Sequence, residues 1–154
     1  MDLLIAAVGR LRGAEADLCA DYAARTGQTG RSLGLGPLRI EEVDDRRARD
    51  DTSQAARLIA LSEGAFRVVL DERGVSLSSP DLAERIGGQR DGGTRRMAFL
   101  IGGADGHAQT TRAAADLTLS LGPMVWPHAL VRVMVAEQLY RAVSILAGTP
   151  YHRE

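Results

Sequence analysis

Lysine is absent. All 19 basic residues of the 154-residue chain are arginine, so no side chain can form a Schiff base and no Walker-type phosphate lysine exists. Cys19 is the only cysteine, which excludes an intramolecular disulfide and every multi-cysteine zinc or iron–sulfur site; a buried, inert thiol is expected. Imidazole comes only from His107, His128 and His152. None belongs to an H-E-x-x-H pair, so no metal is expected. No apolar run reaches the ~18 residues of a membrane-spanning helix, and Met1 to Val8 carries no basic leader or cleavage-site pattern. Neither a membrane span nor a secretory signal is expected, and the expected location is the cytoplasm. An excess of one charge is also missing. With a net charge of −1, the chain lacks the broad positive field of a general polyanion binder, so any RNA substrate has to be recognised locally, by a second subunit or through a preformed shape.

What is present suits one compact domain over residues 1–154, with 45% hydrophobic and 25% charged residues. Short apolar runs at Leu3 to Val8, Phe66 to Leu70, Met97 to Ile101 and Leu117 to Leu121, with a further strand near Leu38 to Glu42, read as buried strands. Helices are expected at Ala14 to Arg25, Asp51 to Leu61, Pro80 to Ile86 and Ala129 to Ala147. Gly27 to Gly36 and Gly87 to Gly93 read as loops. The charged stretch Glu41 to Asp51 reads as a solvated loop and helix start and receives no chemistry. Strands alternating with helices, and almost continuously apolar in their cores, imply an α/β fold: a mostly parallel sheet flanked by helices.

Two segments carry candidate chemistry. The fourth strand runs into Gly102-Gly103-Ala104-Asp105-Gly106, at the carboxyl end of a parallel strand, where ligands of open α/β sheets bind. The spacing is G-G-x-x-G, so the dinucleotide fingerprint G-x-G-x-x-G is not met; a ligand turn and a structural turn both remain open. The second segment, Gly122-Pro-Met-Val-Trp-Pro-His128, is a stiff apolar loop that offers backbone groups and apolar surface. Such a loop suits an adenine ring and a thioether better than a phosphate chain.

The last helix places Glu137, Gln138, Arg141 and Ser144 on one stripe at roughly 100° per residue. Arg132 falls on the opposite side, among Val135, Ala136, Leu139, Val143 and Leu146. A buried guanidinium is costly without an anion or several acceptors, so Arg132 requires either a protein carboxylate or a substrate group. The apolar surplus of this helix points to a second buried surface and hence to a dimer.

The segments Leu100 to Gly106, Leu119 to Ala142 with its W-P-H-A-L-V-R core, and terminal Pro150-Tyr-His-Arg153 together resemble the ribosomal RNA large subunit methyltransferase H family. Ala6 to Gly9, Tyr22 and Val69-Leu-Asp71 extend the likeness over nearly the full chain. The resemblance implies a SPOUT domain with a C-terminal trefoil knot, a homodimer, S-adenosylmethionine as methyl donor, and methylation of pseudouridine N3 in 23S rRNA on assembled ribosomes. Carried over by position, cofactor contacts fall on Leu70, Gly103, Gly122, Pro123, Met124, Val125, Trp126 and Pro127. Arg132, His128, Tyr151, His152 and Arg153 become the catalytic candidates: Arg132 to stabilise negative charge on base or phosphate, and His128 or His152 to assist proton removal. From the residues alone, an unrelated nucleotide-binding α/β enzyme and a non-catalytic ribosome-binding factor remain alternatives.

Overall fold

A computed structural model describes residues 1–46, 48 and 50–152. Five strands, β1 (Asp2–Val8), β2 (Leu38–Val43), β3 (Phe66–Ser76), β4 (Arg96–Ile101) and β5 (Leu117–Ser120), form one sheet in the order β2-β1-β4-β3-β5, and every pairing is parallel. Successive side chains of a strand point to opposite faces, so the continuous apolar runs are divided between two cores. Leu3, Ile5 and Ala7 of β1, with Met97, Phe99 and Ile101 of β4, face one side; Leu4, Ala6 and Val8, with Ala98 and Leu100, face the other.

The first side is covered by α1 (Ala14–Gly30), α3 (Ser79–Asp91) and α5 (His128–Leu146), with α5 packed against both of the others; α2 (Asp51–Leu61) and the short α4 (Gln109–Ala113) pack together on the second. Cys19 is buried in the first core. Among the described residues no helix is long and apolar enough to cross a membrane.

Three expectations need correction. The helix expected to end at Arg25 continues to Gly30 and is followed by a 3-10 turn, Arg31–Leu33, in place of a loop. Thr26 is buried and its hydroxyl donates to the Tyr22 carbonyl at 2.7 Å. A Cβ at Gly30 would lie 2.5 Å from the Leu35 carbonyl oxygen, so glycine there permits a close crossing of the chain. Gly87 to Gly93 is likewise mostly helical, because α3 runs to Asp91; a Cβ at Gly87 would meet Leu146 Cδ2 at 3.2 Å, and its absence lets α5 lie close. The start of α3 is fixed by a capping box in which Ser78 and Asp81 bond each other reciprocally. Finally, β3 does not stop at Leu70. It pairs with β5 through Leu70, shifts register, and pairs again at Val75 and Ser76, so that residues 71 to 74 are extra residues between the two pairings.

Candidate active site

The carboxyl ends of β3, β4 and β5 surround a cavity of about 340 Å³. Three chain segments form its walls. The register shift of β3 supplies Leu70, Asp71, Glu72 and Arg73; the glycine turn and the residues after it supply Ala104, Asp105, Gly106, His107 and Arg112; the last strand and its loop supply Leu119, Leu121, Gly122, Met124, Val125 and Trp126, with Val131 of α5 behind them.

The glycine turn is tight for a steric reason. A Cβ on Gly102 would collide with the Gly106 carbonyl, and Gly106 itself has a φ of 82°; its N–H donates to the Gly103 carbonyl at 3.1 Å. His107 then turns inward and is 5% exposed. Its Nε2 sits 3.1 Å from the Leu100 carbonyl, which only an N–H can satisfy, so Nε2 carries the proton of the neutral ring. Nδ1 has no hydrogen-bond partner. Burial holds the imidazole below its ordinary value; Asp71 acts in the opposite sense, and Arg112 reinforces the depression.

Of the residues assigned to cofactor contacts, Leu70, Gly122, Met124, Val125 and Trp126 line this cavity, whereas Gly103, Pro123 and Pro127 do not. Gly103 instead approaches Val8 and Gln54. In the apolar loop, Met124 is 65% and Val125 90% exposed, while the Trp126 Nε1–H is buried without a partner. Periodicity carries no sign of the Asp71 to Arg73 wall or of Arg112, since both depend on how β3 and α4 are placed after folding.

The catalytic candidates fall in separate places. Arg132 is fully buried. Its guanidinium donates to Glu42 Oε1 at 2.7 Å and to the Val8 and Gly9 carbonyls at 3.1 and 3.0 Å, leaving Nε without a partner. Of the two partners left open by the sequence, the structure supplies the protein carboxylate. That carboxylate lies in the charged stretch that had been given no chemistry, and it also accepts the Leu11 N–H at 2.8 Å. Burial pushes the Arg132 pKa down, opposed by Glu42.

His128 is exposed at the first residue of α5. It lies over the end of β1: a Cβ built on Gly9 would be 3.8 Å from His128 Nε2 and 3.9 Å from Asp45 Oδ2.

Tyr151 and His152 lie farther along the same helix. The Tyr151 hydroxyl donates to Glu137 Oε1 at 3.0 Å, its ring centroid is 4.5 Å from that of Tyr140, and the Arg141 guanidinium stacks over it at 4.9 Å. Arg141 also pairs with Glu137 at 2.5 Å, and its Nη1 approaches His152 Nδ1 at 3.4 Å. Because arginine can only donate, this contact puts the His152 proton on Nε2, which is buried and without a partner. Arg153 lies outside the described residues. Ser144, placed by periodicity on the polar stripe, is fully buried.

A second, larger groove of about 560 Å³ shares Leu119, Leu121 and Gly122 with the cavity and runs along α5 past Leu18, Leu77, Leu82, Val133 and Met134. Its surface is mostly apolar, with Ser76, Ser78, Ser79, Glu137 and Gln138 among its walls. The smaller cavity is the better candidate for a polar cofactor, because loops from three strand ends converge there with titratable and main-chain groups. Among the described residues no group of three or more His, Cys, Asp or Glu side chains could hold a metal ion.

Comparison with known proteins identifies the family. A family model described as predicted SPOUT methyltransferase matches residues 1–152. The chain is 58% identical over 155 residues to ribosomal RNA large subunit methyltransferase H of Roseobacter denitrificans, covering 99% of each protein. It is 58% identical over 156 residues to the protein of the same name from Paracoccus denitrificans, covering 100% of each. Among solved structures, the SpoU methyltransferase AviRb from Streptomyces viridochromogenes in complex with AdoMet is 18% identical, with a TM-score of 0.44, covering 97% of this chain and 58% of that one.

Proposed function

Because the chain belongs to the ribosomal RNA large subunit methyltransferase H family of SPOUT methyltransferases, we propose that it transfers a methyl group from S-adenosylmethionine to N3 of a pseudouridine in 23S rRNA, acting in the cytoplasm on assembled ribosomes as a homodimer with a C-terminal trefoil knot. The observation that carries this reading is the cavity at the carboxyl ends of β3, β4 and β5.

The residues present fit the donor. About 340 Å³ lies within the ~300–1,000 Å³ of small-molecule sites. Leu70, Leu119 and Val131 offer apolar walls for a purine, and the unpartnered Trp126 Nε1–H is a buried donor that an acceptor on a ligand would satisfy. Bound there, the sulfonium supplies an activated methyl group to an in-line displacement, which depends on alignment and needs no metal. The loop from Gly122 to Pro127 orients the donor and, through Met124 and Val125, shields it from water.

Pseudouridine N3 carries an imide proton that has to leave, so a proton acceptor must approach it. His128 has an accessible ring, whereas His152, as docked, presents a protonated Nε2 and keeps Nδ1 against Arg141. In this reading His128 is the stronger candidate for the acceptor, and Tyr151, His152 and Arg153 contribute to holding the RNA. Arg132, with its Nη donors engaged by Glu42 and two carbonyls, positions the β1 loop beside His128 and is not expected to touch the base.

A net charge of −1 argues against capture of free RNA by charge, and favours a target whose shape is already fixed by the ribosome. The mostly apolar groove along α5, with Leu18 46% exposed, supports a second copy as its cover. The test is transfer of labelled methyl from S-adenosylmethionine to ribosomes from a strain lacking the enzyme, with the modified nucleotide mapped by mass spectrometry. Label at a pseudouridine N3 of the large subunit is expected in assembled ribosomes and not in naked 23S rRNA; no label in any fraction would refute the reading.

A further inference from the structure

Arg112 is half-buried in the wall of the cavity. Among the described residues its side chain makes one hydrogen bond, to the His107 carbonyl, and has no ion-pair partner. A guanidinium has five N–H donors and keeps its charge, so most donors of this cavity-lining side chain have no protein partner among the described residues. A half-desolvated cation of this kind is best satisfied by an anionic ligand group, and a planar carboxylate matches its fork.

The same cavity holds a complementary charge. Asp71 is half-buried, accepts the Arg73 backbone N–H at 3.0 Å and likewise lacks an ion-pair partner. Asp71, Arg112 and the buried ring of His107 all line this cavity, and both charged groups act electrostatically on that ring, Asp71 favouring its charged form and Arg112 opposing it. A phosphate would meet Arg112 but be repelled by Asp71, and a bare purine would need neither. A cation and an anion in one cavity, beside apolar Leu70, Leu119 and Val131, match a ligand with a zwitterionic end and a flat apolar end.

We propose that Arg112 and Asp71 form the subsite for the amino-acid end of the methyl donor, Arg112 holding the α-carboxylate and Asp71 facing the α-ammonium. This rests on the S-adenosylmethionine reading above and adds the residues that recognise the donor by its amino acid.

The test is calorimetric binding to the full-length protein of two probes. S-adenosylhomocysteine keeps the amino-acid end, and methylthioadenosine lacks it. Arg112→Met should weaken S-adenosylhomocysteine about 10- to 100-fold, the range for loss of a charge-assisted hydrogen bond, while changing methylthioadenosine less than about twofold. Asp71→Asn should show the same selectivity with a smaller loss. Arg112→Gln retains a donor for the His107 carbonyl and serves if the methionine variant fails to fold; Arg112→Lys should restore part of the affinity. Equal weakening of both probes, or of neither, overturns the subsite. Failure of the wild-type protein to bind either probe defeats the methyl-donor reading itself, a distinguishable result.

Discussion

Arg132 and Glu42 are 90 residues apart in the chain, yet the guanidinium of one lies 2.7 Å from the carboxylate of the other, with the Arg132 side chain fully buried and Glu42 33% exposed. The pair joins α5 to β2, and through the Val8 and Gly9 carbonyls and the Leu11 N–H it also fixes the loop leaving β1. Removing one member leaves the other charge without its partner. Glu42→Ala or Arg132→Met should each destabilise the fold by about 2–4 kcal/mol, the low side of the usual range because water reaches Glu42. Denaturant unfolding of the double variant should cost clearly less than the sum. Additivity within about 0.5 kcal/mol would show that the two side chains contribute separately.

His107 gives the fold a dependence on pH whose sign follows from its surroundings. Burial depresses its folded pKa below the ~6.5 of an unfolded chain. The unfolded state therefore binds the proton first, and the contribution of the neutral ring is present above pH ~6.5 and lost as pH falls through the folded value. Stability should drop on acidification from about pH 7 to 5, with a slope from this group of at most ~1.4 kcal/mol per pH unit. His107→Leu should flatten that part of the profile. An unchanged acid limb in the variant would assign it to other groups.

How far the sequence reveals this molecule depends on the range of the interaction concerned. Strands β1 and β4 were legible because each is apolar at every position of its buried run, which is the pattern of a strand covered on both faces. The helical glycines were not legible. Gly30 and Gly87 have poor helix propensity, but at Gly30 the chain crosses too close for a Cβ and at Gly87 the Leu146 side chain packs tightly against the helix, and tertiary packing outweighs the local preference. The isolation of Arg132 on α5 could be read from periodicity; its partner could not, because nothing local to residue 132 points to residue 42. The cavity was half legible. Its apolar loop and glycine turn stand out, while the Asp71 to Arg73 wall exists only because β3 shifts register against β5.

The glycine turn offers a separate test of the cavity. A methyl group on Gly102 would strike the Gly106 carbonyl, and backbone cannot yield as a flexible side chain does. Gly102→Ala should therefore open the turn, displace His107 from the Leu100 carbonyl and weaken S-adenosylhomocysteine by an order of magnitude or more. Gly93→Ala, a positive-φ glycine remote from the cavity, should cost roughly 1 kcal/mol of stability and leave that affinity unchanged. Calorimetry and thermal unfolding on the two variants separate a local effect on the site from general strain.

The two histidine candidates lie far apart within one chain. His128 begins α5, and His152 rests beside Arg141, thirteen residues later on the helix axis, or about 20 Å at 1.5 Å per residue. One cavity in one protomer cannot use both, whereas a dimer built along the mostly apolar groove of α5 could bring the tail of one copy toward the cavity of the other. Deleting Tyr151 to Glu154 removes the hydrogen bond to Glu137 and the stacking on Tyr140 but leaves both cores intact, so the truncated protein should fold and bind S-adenosylhomocysteine while losing methyl transfer. Co-expression of this truncation with an intact-tailed Gly102→Ala chain then provides the decisive measurement. If tail and cavity act across the interface, mixed dimers carry one unmodified pair and recover up to about half the wild-type rate per dimer. If they act within one chain, every site in the mixture lacks one element and methylation stays at background.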